Sequence, residues 1–193
     1  MISLNHIESN MSEMSPENKL IMAIKHFVFG KTEAFEFIYN ATAPKIMTLC
    51  KRYASNSDEA KDILQETYIK IYQNLKRFDV NSNFEAWAKR IAINTAIDHY
   101  RKNIKNTISL NEEIEQIEEE VFVSKDLLKY DVNIVLSAIQ KLPDGYRLIL
   151  NLYVLENKTH KEIAELLNIN ESTSRSQLTK ARKTLKSMFN YGE

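Results

Sequence analysis

The stretch DEAKDILQETYIKIYQNLKRFDVNSNFEAWAKRIAINTAIDHYR, Asp58 to Arg101, decides the fold. In its first half, apolar residues fall at Ala60, Ile63, Leu64, Tyr68, Ile71, Tyr72, Leu75 and Phe78. That three-four spacing puts them on one side of a helix. The other side carries Asp58, Lys61, Asp62, Gln65, Glu66, Ile69, Lys70 and Gln73. Ile69 is the odd member. A single exposed apolar side chain is common, but an apolar spot inside a polar, partly acidic rim is also how a docking surface is built. A polar loop, Asp79 to Asn83, leads to a second amphipathic helix. Ser82 and Glu85 have the spacing of a capping box at its start. Phe84, Trp87, Ala88, Ile91 and Ala92 make its apolar face, widened by Ile93, Ala96, Ile97 and Tyr100. Arg90, Asn94, Asp98, Arg101 and Lys105 follow at steps of four, four, three and four, which makes one polar stripe. Three of its five members are basic. Such a stripe is usually a solvated face, yet a mostly basic stripe beside aromatics and a polar loop also suits single-stranded nucleic acid.

Upstream, Ser15-Pro16 reads as a helix start, a cap followed by proline in the first turn. Leu20, Ile21, Ile24, Phe27 and Val28 are its expected buried face, and Gly30 ends it. A second helix is expected from near Thr32, with Ala34, Phe35, Ile38 and Tyr39 inside. Pro44 falls within the pattern that continues through Ile46, Met47, Cys50 and Tyr53. It should kink or split the helix near residues 40–43. Asn56-Ser57 recaps the chain before Asp58. Four helices therefore make a first domain over residues 15–105.

Downstream, residues 107–131 have no clean period and hold eight acidic against two basic side chains. They read as a solvated acidic linker, with a short helix possible at Glu112 to Glu120. A second helical domain covers residues 132–189. Ile134, Val135, Ala138, Ile139 and Leu142 line one helix, and Pro143-Asp144-Gly145 punctuates it. Tyr146, Leu148, Ile149, Leu152 and Tyr153 line the next. Thr159 and Glu162 stand in capping-box spacing before Ile163, Ala164, Leu166 and Leu167. A tight turn, Asn168-Ile169-Asn170, then opens a last helix near Glu171. Helix, tight turn, helix is the helix-turn-helix pattern. Asn157 and Asn168 occupy turn positions where Asn best tolerates the left-handed conformation. Between Ser172 and Ser187 the charges are Arg175, Lys180, Arg182, Lys183 and Lys186, with no acid. Arg175, Thr179 and Arg182 share a face with Ser176 and Lys180 beside it, which suits base edges first and phosphates further along.

Composition narrows the choice. Three Gly and three Pro in 193 residues argue against a turn-rich β fold, and the helical periods make the chain all-α. One cysteine, Cys50, excludes an intramolecular disulfide and fits a reducing compartment. The four histidines have no metal-ligand spacing. No phosphate loop or nucleophile-base arrangement suggests an enzyme. No apolar run is long enough to span a bilayer, so a cytoplasmic protein without membrane insertion is expected. The net charge is zero, but residues 1–106 carry +3, residues 107–131 carry −6 and residues 132–193 carry +3. Two mildly basic blocks flank an acidic connector, an asymmetry that fits two surfaces facing phosphate.

DEAKDILQETYIKIY resembles the polymerase-contact helix of bacterial RNA polymerase sigma factors of the extracytoplasmic-function (ECF) type. FEAWAKRIAINTAIDHYR resembles that family's helix for the minus-ten promoter element. YRLILNLYVLENKTHKEIAELLNINESTSRSQLTKAR resembles its minus-thirty-five reading domain. The resemblance runs over most of the chain, in the family's order, and implies core RNA polymerase and promoter DNA as partners, an anti-sigma factor as a regulator, and no cofactor. It also implies roles residue by residue. Asp62, Gln65, Glu66 and Ile69 would dock polymerase. Asn81, Ser82, Asn83, Arg90, Asn94 and Arg101 would handle the minus-ten strand. Arg175, Ser176, Thr179, Lys180 and Arg182 would meet the minus-thirty-five element. Trp87, within the apolar pattern, is expected to pack in the core. A stand-alone helix-turn-helix regulator is the alternative, since the C-terminal half alone suits either protein.

Overall fold

The computed structural model describes residues 14–106 and 131–190. Their regular structure is helical throughout. Residues 107–130, which hold most of the expected acidic linker and its possible short helix, lie outside the described residues.

Four helices form the N-terminal group: α1 Pro16–Val28, α2 Ala34–Tyr53, α3 Ser57–Asn74 and α4 Phe84–Asn106. Ser15 caps α1 by accepting from the Asn18 N–H, and Gly30 turns the chain with φ 96°, a conformation that needs no Cβ. Asn56 caps α3 through the N–H groups of Asp58 and Glu59. The core joins Phe27 of α1, Ile38 of α2, Ile63 and Ile71 of α3, and Leu75 of the 3-10 turn Leu75–Arg77. Ile21 is partly exposed rather than in the core, because α1 turns Ala23, Ile24 and Phe27 inward.

Two local expectations are corrected. Pro44 neither splits α2 nor ends it; the helix runs unbroken from Ala34 to Tyr53. Proline removes one donor, but Ile46, Leu49 and Cys50 are buried beyond it and Thr42 before it. Thr42 Oγ1 donates to the Ile38 carbonyl and lies 2.8 Å from Tyr68 Oη, so packing on both sides carries the helix across the gap. The cap of α4 is Asn83, whose Oδ1 accepts from the Ala86 N–H at 3.0 Å. Ser82 instead donates to Asp79, and Glu85 pairs with Lys45 at 2.6 Å.

Four further helices form the C-terminal group: α5 Val132–Gln140, α6 Asp144–Leu150, α7 His160–Leu167 and α8 Glu171–Asn190. A π-helical segment, Asn151–Leu155, continues α6. Ile149, Leu152, Ile163, Ala181 and Leu185 fill this core. Ile134 is exposed, contrary to its place in the α5 pattern. The Thr159–Glu162 capping box is present in both directions. Asn157 and Asn168 have φ 51° and 55°, the left-handed conformation expected for them.

The two groups meet along the C-terminal end of α2. Three successive carbonyls there receive side chains of the C-terminal group. Gln140 Nε2 donates to Lys51 at 3.0 Å, Asn151 Nδ2 to Arg52 at 2.7 Å, and Arg147 Nε to Tyr53 at 2.9 Å. Helix ends leave such carbonyls without intrahelical partners and carry partial negative charge. Arg147 is only 2 % exposed. It also donates to the carbonyls of Gln140 and Leu142 and pairs with Asp144 at 2.5 Å, which satisfies its fork of donors.

Candidate functional sites: a docking groove and two nucleic-acid faces

Helix α3 presents Asp62, Gln65 and Ile69 to solvent, and Ile69 is 50 % exposed. Gln65 and Ile69 line a groove of about 640 Å³ with Phe35, Tyr39, Tyr68 and Tyr72. The rings lock edge to face: Phe35 with Tyr72 at 4.9 Å and Tyr39 with Tyr68 at 4.6 Å. Tyr39 and Tyr72 are both partly exposed, although the apolar pattern places them inside. Burial pushes the Tyr68 phenol up to about 12, despite the hydrogen bond with Thr42 that opposes the shift. The groove is therefore apolar at its centre, with Lys61, Gln65 and Gln73 at its rim.

Glu66 does not join this face. Its carboxylate turns toward α4, with His99 Nε2 at 2.8 Å, Lys70 Nζ at 3.1 Å and Lys102 Nζ at 3.8 Å. Lys70 in turn reaches Asp98 at 3.1 Å. Burial works against ionisation of Glu66, but the hydrogen bonds from Lys70 and His99 outweigh it and hold the carboxyl below its ordinary range. This is an ionic clip between α3 and α4.

On α4, Arg90 and Asn94 are exposed. Asn94 borders a cavity of about 330 Å³ with Lys70, Arg77, Phe78, Trp87 and Ile91. Trp87 packs on Phe78 and Phe84 at 4.9 and 5.7 Å, as its place in the apolar pattern suggests. In the preceding loop, the Asp79 carboxylate accepts from the Asn81 N–H at 3.0 Å and from Ser82 Oγ at 3.2 Å. Those bonds, the Asn81 backbone one first, hold its pKa below the ordinary value. Asn81, Ser82 and Asn83 thus sit exposed on a loop that fixes itself. Arg101 donates to the Leu166 carbonyl at the end of α7, so it touches the C-terminal group rather than standing clear.

In the C-terminal group, His160 Nδ1 lies 2.9 Å from Ser174 Oγ and its ring stacks on Tyr153 at 4.6 Å. These contacts set α7 against α8.

With this geometry in hand, similarity to known proteins becomes informative. The family profile described as sigma-70 region 2 matches residues 38–105, and that of sigma-70 region 4 matches residues 133–185. The ECF RNA polymerase sigma factor SigW of Bacillus subtilis is 34 % identical over 178 residues, covering 84 % of this chain and 92 % of SigW. The chain belongs to the ECF sigma factors. The Escherichia coli K12 ECF sigma-E factor is 29 % identical over 187 residues, covering 91 % of this chain and 95 % of its own. Among solved structures, the Bartonella quintana sigma factor RpoE, in complex with the anti-sigma factor NepR, aligns with a TM-score of 0.46 at 20 % identity, over 82 % of this chain and 98 % of that one. As a member of this family, the protein is a sigma factor that directs promoter-specific transcription initiation by core RNA polymerase.

In this sigma factor, α8 begins with Arg175 exposed and paired to Glu171 at 2.5 Å. Thr179 Oγ1 donates to the Arg175 carbonyl and Ser176 Oγ to that of Thr173. The Arg182 guanidinium lies 5.6 Å from the Tyr153 ring centroid, drawn toward its own domain. The expected minus-thirty-five set is therefore brought together on one helix, with Arg182 at its inner edge. The missed contributors are Phe35, Tyr39 and Tyr72 in the groove and His99 in the clip. The aromatics were signalled by their spacing, since Phe35/Tyr39 and Tyr68/Tyr72 are both four apart.

Among the described residues no helix is long and apolar enough to cross a membrane, and no group of three or more His, Cys, Asp or Glu could hold a metal ion. Burial pushes the Cys50 thiol up to about 12, against its own backbone hydrogen bond, which leaves it a packing residue.

Proposed function

We propose that this sigma factor divides its work between its two helical groups. Residues 15–105 dock core polymerase through the α3 groove and open the minus-ten element with α4 and the Asp79 to Asn83 loop. Residues 132–189 place α8 on the minus-thirty-five element. The protein acts in the cytoplasm, performs no chemistry of its own, and is held in check by an anti-sigma factor, a partner supported by family membership alone. Within the docking set, Asp62, Gln65 and Ile69 would face polymerase, and Glu66 would position them through α4.

The observation that carries this reading is Ile69, half exposed beside an aromatic groove on an otherwise polar helix face. Ile69→Glu is expected to leave the fold intact, because surface changes usually alter stability by about 0.5 kcal/mol or less. In complex it would put a charge into an apolar contact, at a cost on the order of 2–5 kcal/mol. The variant should melt near the wild-type temperature and fail to co-elute with core polymerase. Ile63→Glu, at a fully buried site, is the control that should unfold the N-terminal group. Normal assembly by Ile69→Glu would remove α3 as the docking element.

A further inference from the structure

The first turns of α8 rest on polar contacts where the later turns rest on apolar ones. The buried side of α8 carries Ser174, Gln177, Leu178, Ala181 and Leu185, each 6 % exposed or less. Leu178, Ala181 and Leu185 pack without direction, because apolar burial is indifferent to small rotations. Ser174 is different. It is fully buried, and one hydrogen bond of 2.9 Å joins its Oγ to His160 Nδ1. A hydrogen bond fixes both a distance and an angle.

His160 is itself held. It is the first residue of α7, and the two-way capping box of Thr159 and Glu162 fixes where that helix begins. Its ring, only 8 % exposed, stacks on Tyr153 at 4.6 Å with 26° between the planes. The Arg182 guanidinium lies 5.6 Å from the centroid of the same Tyr153 ring. The His160–Tyr153 pair therefore meets α8 at two places, Ser174 and Arg182. Ser174 stands beside Arg175 in the chain, and Arg175, Thr179 and Arg182 share the face assigned to the minus-thirty-five element.

We infer that His160 is a positioning residue for minus-thirty-five recognition: its hydrogen bond to buried Ser174 sets the rotation of α8 about its own axis and so aims Arg175 and Thr179 at base edges. The inference rests on the reading of α8 given above. A rotation of roughly 15° moves an atom ~6 Å from the helix axis by ~1.5 Å. That exceeds the ~0.5 Å range over which an N–H···O bond to a base keeps its geometry. An apolar pair at these two positions would hold α7 against α8 equally well, since replacing both partners of a buried hydrogen bond by apolar groups of similar shape costs little stability. The polar pair contributes direction rather than strength, which is how buried polar groups specify one packing arrangement among several.

The test is the double variant His160→Phe/Ser174→Ala, in the full-length protein assembled with core polymerase. It should melt near the wild-type temperature, keep its helicity and bind core polymerase normally. Its discrimination between the preferred minus-thirty-five element and single-base variants should fall about tenfold, the size of one good base contact. Affinity for promoters with a scrambled minus-thirty-five element should be retained, because phosphate contacts carry no sequence information. His160→Asn is the rescue: its side-chain amide supplies a polar partner to Ser174 without a ring, and discrimination should stay at the wild-type level. Should the double variant unfold, His160→Phe takes its place, since Ser174 can then turn its hydroxyl to a carbonyl of its own helix, and the same tenfold loss is expected. Undiminished discrimination by the folded Phe variant, or lost discrimination in His160→Asn, would overturn the positioning role. So would affinity lost equally on preferred and scrambled elements, the result of a purely structural contact. Arg175→Ala separates the two claims. If it discriminates as wild type does, α8 does not read the element and the inference falls with that reading; if it loses discrimination and the Phe variant does not, the inference alone fails.

Discussion

Arg175 and Lys186 show what one residue can say on the recognition helix. Arg175 lies in the second turn of α8, exposed, with Glu171 four residues before it. That pairing holds the guanidinium near the helix start, where side chains reach base edges. Lys186 is exposed near the far end, where a flexible ammonium meets phosphate at best. Arg175→Ala should therefore relax discrimination among minus-thirty-five variants, with a loss of ~1–3 kcal/mol on the preferred sequence. Lys186→Ala should weaken all sequences alike. A binding panel across single-base variants checks both, and equal discrimination by Arg175→Ala and wild type would refute the assignment. Residue-level conformation was legible where chemistry is local. Asn157 and Asn168 were expected in the left-handed region from residue type and position, and both are there. Arg182 was less legible, because its partner Tyr153 lies almost thirty residues away and no local pattern encodes that approach.

At the scale of elements, the periods of three and four placed the eight α-helices of the described residues, and the departures have physical reasons. Pro44 was expected to kink or split α2; it does not split it, because propensity is local and the burial of Thr42, Ile46 and Leu49 overrides it. Ser82 was expected to cap α4, but Asp79 takes its hydroxyl, and Asn83 is one residue closer to the helix. Glu66 is expected to dock polymerase because its own helix places it on the polar face. What sequence could not show was that α4 brings His99 and Lys102 up against that face. The clip has a pH signature. The folded-state pKa of Glu66 lies below its ordinary value, so its contribution to stability is present above the unfolded pKa and is lost as pH falls through the folded one. The melting temperature of wild type should thus fall more steeply than that of Glu66→Gln below the ordinary glutamate pKa of about 4.3. Parallel melting curves across the acid range would show that the clip contributes nothing to the fold.

Over the whole molecule, the division into two helical groups follows from the sequence, but their seam does not. Arg147 reads as one basic residue among apolar neighbours, and it is buried only because α2 ends there with carbonyls to cap. The same seam bears on how the protein meets DNA. Total charge is zero. Of the five basic residues of α8, Arg175 is paired with Glu171 and Arg182 lies against Tyr153. On α4, Arg101 is engaged by the Leu166 carbonyl. Zero net charge and two modest basic faces predict few neutralised phosphates, a slope of about −3 in log affinity against log salt, and weak binding at physiological ionic strength. With core polymerase present, the two DNA faces would be held apart on one complex, and the second contact becomes intramolecular. Affinity for the promoter should then rise by at least two orders of magnitude over the free protein. A salt titration of duplex binding by gel shift, with and without polymerase, measures both quantities. Equal affinity in the two arms, or a slope near −8 for the free protein, would mean that the chain binds DNA as an independent regulator and that polymerase adds nothing to its reading of the promoter.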